Sequence, residues 1–172
     1  MKTSEFPNII ATILILTIVI GFSSLIKAQF ENFIITLAFS TIIITISVLA
    51  KKITARALDV DIEHEIWEIS TLTFKKLKQF KRPIPTGIIL PILLSLITLG
   101  TLKFMALLTY ETRALKYRAA KKFGYYSYVE MTDWHNGLIG AAGIFFILLL
   151  SLISYLLPSA NLEYLAKISA YY

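Results

Sequence analysis

The chain has 172 residues, 56% of them hydrophobic, with a mean hydropathy of +0.71, where a soluble domain is nearer about 45–50% apolar. It contains no cysteine, which excludes a disulfide framework, a thiolate metal site and a cysteine nucleophile. The net charge is +6, yet 14 of the 17 Lys and Arg lie between Lys51 and Lys122, with apolar segments on either side. That placement fits the positive-inside pattern of a multi-pass protein of the cell membrane, with residues 51–136 cytoplasmic, and argues against a nucleic-acid partner.

The expected fold class is membrane α-helical. It has three to four transmembrane helices and a short β-strand or amphipathic insert between the second and third spans. All 172 residues are expected to form a single membrane domain. The first span is 7–26, PNIIATILILTIVIGFSSLI, with Pro7 in a first helical turn where its missing N–H costs nothing. It is too long for a signal-peptide core and shows no cleavage site. Residues 27–32 form a polar turn, and 33–50 is the second span. Helix is expected to continue to about Leu58 through the basic cluster Lys51, Lys52 and Arg56.

The period then changes. In VDIEHEIWEI, Val60, Ile62, His64 and Ile66 alternate with Asp61, Glu63, Glu65 and Trp67. Alternation by two predicts an extended segment over 60–69, with an acidic edge that discourages aggregation. Residues 70–86 read as a basic connection in which Phe74, Leu77 and Phe80 lie between Lys75, Lys76, Lys78, Lys81 and Arg82. This pattern suits an amphipathic segment on anionic headgroups, so membrane lipids are expected partners. Residues 87–100 are apolar but short for a crossing and are interrupted by Pro91, which favours a re-entrant or surface helix.

Residues 103–111 and 125–129 have strand-like composition, with turn chemistry at Gly124. Residues 112–123 read as a short basic helix. Thr132 caps the last clear span, 137–157, and Pro158 ends it. Gly137, Gly140 and Gly143 on that span allow close helix packing. A further helix begins over 162–172.

Candidate metal ligands are few. His64-Glu65-Ile66-Trp67-Glu68 is one residue short of the HExxH zinc signature, in which two histidines one turn apart on a helix grip the metal. On a strand the same spacing separates the two side chains by roughly 13 Å, so the strand reading argues against zinc at His64, Glu65 and Glu68. His135 follows Trp134 at the start of the last span, where an interfacial aromatic belt is the simpler account. Ser40, Ser47 and Lys51 share one face of the second helix. A Ser–Lys pair can act as nucleophile and base, but Lys51 also fits a lysine snorkelling to the interface.

The order of parts resembles the site-2 protease family of intramembrane zinc metalloproteases, especially its archaeal branch. The resemblance runs from about Phe33 to Leu157. The matching parts are the tail Lys52-Ile53-Thr54-Ala55-Arg56, the acidic strand, and the surface segment Pro83-Ile84-Pro85-Thr86-Gly87. The late span opening at Thr132-Asp133-Trp134 and holding Ala141-Ala142-Gly143 also matches. By that register, Ser47, Val48 and Lys51 occupy the zinc-motif positions. The family's later G-P-x-x-N pattern keeps Gly143 but has Ile144 and Ile147 for its Pro and Asn, and the chain ends at Tyr172 where an Asp-bearing helix would be starting.

The resemblance therefore implies the scaffold without the chemistry. The expected function is that of a pseudoprotease with no catalytic residue and no cofactor, binding a transmembrane or extended peptide segment along Val60, Ile62, His64 and Ile66. It specifies no oligomeric state. The alternatives are a zinc metalloprotease with an unusual or incomplete metal site, and a structural subunit of a membrane complex.

Overall fold

The computed structural model describes residues 5–71, 79–114, 133–157 and 159–172. Helix α1 is Glu5–Ile26 and α2 is Phe30–Ala57. They are joined by a turn of three residues in which Ala28 takes a left-handed φ of 54°, and the amides of Ala28 and Gln29 bond back to Leu25 and Ser24. The turn is shorter than expected because helix resumes at Phe30. At the far end α2 runs on to Ala57, and Asp59, with φ 57°, turns the chain into strand β1.

β1 is Val60–Ile66, β2 is Ile69–Thr71 and β3 is Gln79–Ile84. Helix α3 is Thr86–Ile97, β4 is Leu108–Ala114, α4 is Asp133–Leu156 and α5 is Ala160–Tyr171. β1 pairs with β4, and β2 pairs antiparallel with β3, with Ile69 opposite Ile84 and Thr71 opposite Gln79. The acidic segment is thus strand over Val60–Ile66, with a break at Trp67 and Glu68 before β2 rather than one continuous strand to 69, and the basic connection begins and ends in strand. Lys75, Lys76, Lys78, Thr132, Pro158 and the expected strand over 125–129 lie outside the described residues. The basic helix expected from Thr112 is corrected at its start: β4 continues through Ala114, because Thr112 and Arg113 prolong a pairing that helix would break. Pro91 does not interrupt the short apolar segment either. It is buried inside α3, which continues past it with the loss of one backbone hydrogen bond, toward Gly87.

α1, α2 and α4 have 22, 28 and 24 residues and are long and apolar enough to cross a membrane. At about 1.5 Å per residue, each exceeds the roughly 30 Å of a bilayer core. Most threonines of α1 and α2 satisfy their hydroxyls within the helix. Thr12, Thr17, Thr36 and Thr54 each donate to the carbonyl four residues back, at 2.7–3.0 Å.

The chain divides into two compact units. In the first, Met1–Thr41 with His64–Thr109, α1 packs on α3, and Leu16, Val19 and Leu107 are buried. The Phe33 ring of α2 lies against Gly21, where a methyl group would come within 2.9 Å of it. In the second, Ile42–Glu63 with Tyr110–Tyr172, Val60 and Ile62 pack with Ala55 and Ile139, covered by Leu58 and Tyr110. There α5 packs along α4, and the Ser151 hydroxyl donates to the Ala166 carbonyl at 2.8 Å.

Candidate binding site

The strand that opens the insert follows its sequence pattern. Val60, Ile62 and His64 are buried, while Asp61 and Glu65 are exposed. Alternation therefore sends His64 and Glu65 to opposite faces, and Glu68 lies beyond the strand, exposed. Ile66 is half-buried. Among the described residues β1 has one strand neighbour, β4. Its apolar side chains are turned inward, so a peptide added at the edge would meet backbone rather than Val60 or Ile62.

His64 has a partner that sequence reasoning missed. Its Nδ1 lies 3.1 Å from Oε1 of Glu5, 59 residues away, and both side chains are buried. The backbone N–H of His64 donates to the same oxygen at 3.5 Å. The one available signal was an acidic residue in the first turn of a highly apolar helix. His135 is half-buried on α4. Among the described residues no three His, Asp or Glu side chains gather into a metal-binding group.

In the second unit, Ser47, Val48 and Lys51 lie on the same stretch of α2. Ser47 and Val48 are buried and Lys51 is half-buried. A hydrogen bond links the Ser47 hydroxyl to the Tyr172 phenol. The Lys51 stem lies against Gly143 of α4, so closely that a β-carbon there would come within 2.6 Å of the lysine Cε. Its ammonium lies 5.3 Å from the centroid of the Tyr110 ring, a cation–π distance. The Tyr110 phenol in turn donates to the Asn136 carbonyl at 2.8 Å, and burial pushes its pKa above the ordinary value. Tyr110 also occupies the space at Gly140, whereas Gly137 has nothing within 4 Å of the place a β-carbon would take. Two of the three glycines singled out for helix packing thus make room for side chains, Lys51 and Tyr110.

The donor set at these positions does not fit zinc. An ammonium offers hydrogen-bond donors only and repels a cation, valine has no donor atom, and the serine hydroxyl is engaged by a phenol. What the arrangement can do is hold α2, β4 and α4 together around a lysine. It missed detection in the sequence because Lys51, Tyr110 and Gly143 come from three distant segments without a shared motif. β4 also carries an ion-pair cluster, with Arg113 at 3.5 Å from Glu63 and 3.6 Å from Glu111. Comparison with family models, curated proteins and solved structures gave no match.

Proposed function

We propose that this chain is an integral membrane protein on a site-2-protease-like scaffold that binds transmembrane or extended segments of other proteins without cleaving them. The observation that carries the reading is the Lys51 arrangement. At the positions where the resemblance expects a zinc motif, the side chains are occupied with other parts of the same protein. Lys51 fills the notch at Gly143 and faces Tyr110, and Ser47 is bonded to Tyr172. A hydrolytic centre needs an activated water and a base beside the scissile bond, and these residues supply neither. Three helices long enough to span and a strand with one neighbour among the described residues support the reading as a binding scaffold. Strand addition would take an extended partner by main-chain hydrogen bonds.

The test is metal analysis of the purified full chain together with incubation against membrane-embedded peptide substrates. The expected result is substoichiometric zinc, no cleavage, and capture of a peptide that is lost when Pro is placed at its hydrogen-bonding positions. Stoichiometric zinc that survives dialysis, or cleavage abolished by a chelator, overturns the reading.

A further inference from the structure

The cations of this protein are served unequally. Exposed Lys167 donates to Glu163 at 2.7 Å, and exposed Arg113 has two carboxylates within reach. Lys51 is half-buried, yet among the described residues no carboxylate or carbonyl oxygen accepts from it. Its contact is the face of the Tyr110 ring. An ammonium has three N–H donors and no acceptor capacity. A ring face satisfies one side of it and leaves the remaining hydrogens in want of oxygen. A partly desolvated charge without a counter-ion is costly, so the geometry calls for an anion from outside the described residues.

Two features say which anion. First, the ammonium is held in place. The Gly143 notch receives the stem and the Tyr110 phenol is fixed by Asn136, so the nitrogen is positioned before any ligand arrives. Second, Lys51 stands where the apolar stretch of α2 gives way to Lys52 and Arg56, with Leu49 and Ile53 exposed on either side of it in the chain. In a membrane helix that junction lies at headgroup depth, where the abundant anion is a phosphodiester and the neighbouring apolar surface meets acyl chain.

We propose that Lys51, held by Gly143 and Tyr110, is the phosphate-binding cation of a site for an anionic phospholipid at the cytoplasmic end of α2. The site rests on the membrane reading given above but is independent of whether the protein binds or cuts peptides. Alkaline carbonate extraction tests the membrane reading by itself: release of the chain sinks both, and retention leaves the lipid site to be decided on its own.

The deciding experiment is native mass spectrometry of the full chain in detergent, titrated in parallel with phosphatidylglycerol and phosphatidylcholine. The wild type should retain the anionic lipid about fivefold better, as expected for one lysine at a negatively charged surface, and the preference should shrink as salt is raised. Lys51→Gln should bring the two lipids level, Lys51→Arg should restore the preference, and Lys52→Gln should leave it in place. Equal retention of both lipids by the wild type overturns the proposal without reference to any variant, so a poorly folding Lys51→Gln does not shelter it. An unchanged preference in a folded Lys51→Gln overturns it as well. So does binding of glycerol phosphate as tightly as the lipid, which would make the ligand a soluble phosphate, or stronger retention of oleate, which would make it a carboxylate.

Discussion

At the scale of single residues, buried polar groups decide what each position tolerates. Glu5 and His64 bond to one another inside the first unit. Truncating either leaves its partner buried without that bond, and such a loss costs about 1–3 kcal/mol. Glu5→Ala and His64→Ala should each lower the midpoint of thermal unfolding in detergent, and the double variant should cost less than the sum of the two, because one interaction is removed twice. Full additivity would mean that the two residues do not act on each other. Ser95 presents the opposite case. Its hydroxyl is buried with no partner among the described residues, so Ser95→Ala should leave the midpoint unchanged or raise it, by up to about 1 kcal/mol. A fall larger than that would mean the hydroxyl is bonded.

Tyr110 adds a pH dependence. Burial raises its pKa in the folded protein above the ordinary value of 10.0. The folded state therefore holds the phenolic proton more tightly than the unfolded one. The stability this gives is fully present below about pH 10 and is lost as pH rises through the folded pKa. Ionisation also removes the donor that Asn136 accepts. In an absorbance titration of phenolate, the difference between wild type and Tyr110→Phe should be one phenol ionising later than free tyrosine. A difference curve centred at or below pH 10 would contradict the burial.

At the scale of elements, legibility tracked how local the physics is. The Val60–Ile66 strand was readable because alternation is a property of the segment itself; that three of its alternating residues, Val60, Ile62 and His64, are buried rather than offered to a partner came from the structure. The long helices were readable from length and apolarity for the same reason. The start of β4 at Leu108 and its continuation through Ala114 were blurred, since a strand's ends depend on where its partner ends. The Lys51 site was illegible, because a cation–π contact between residues 51 and 110 exists only once α2 and β4 are packed.

The junction at Trp67 is another such product of packing. Its N–H donates to the Leu107 carbonyl at 3.0 Å and its carbonyl accepts from Gly87 at 2.8 Å. A β-carbon at Gly87 would lie 2.6 Å from that same Leu107 oxygen, and backbone cannot step aside as a flexible side chain can. Gly87→Ala should therefore destabilise the first unit by about 1–3 kcal/mol, the usual cost of overpacking. Gly137→Ala, with open space around it, should be close to neutral. Equal unfolding midpoints for the two variants would count against this packing at the start of α3.

At the scale of the whole molecule, the charge distribution and the helix lengths make one prediction together. By the positive-inside rule, the clustering of basic residues predicts that residues 51–136 lie on the cytoplasmic side. That assignment requires α3 not to cross. Its 12 residues reach only about 18 Å at 1.5 Å per residue, well short of a bilayer core of roughly 30 Å. The absence of cysteine from these 172 residues makes the test clean, since single cysteines can be placed at exposed positions and labelled with a reagent that does not cross membranes. Lys27→Cys in the α1–α2 turn and Tyr155→Cys at the end of α4, both at exposed positions, should label in intact cells. Leu102→Cys, just beyond α3 and 61% exposed, should label only after permeabilisation. If Leu102→Cys labels from outside, α3 crosses after all, and every downstream element, including α4, lies the other way up. Lys51 would then still face the cytoplasm while Tyr110 approached it from the opposite side of the bilayer. The 5.3 Å contact between them forbids that, so this labelling experiment tests the topology and the Lys51 site at once.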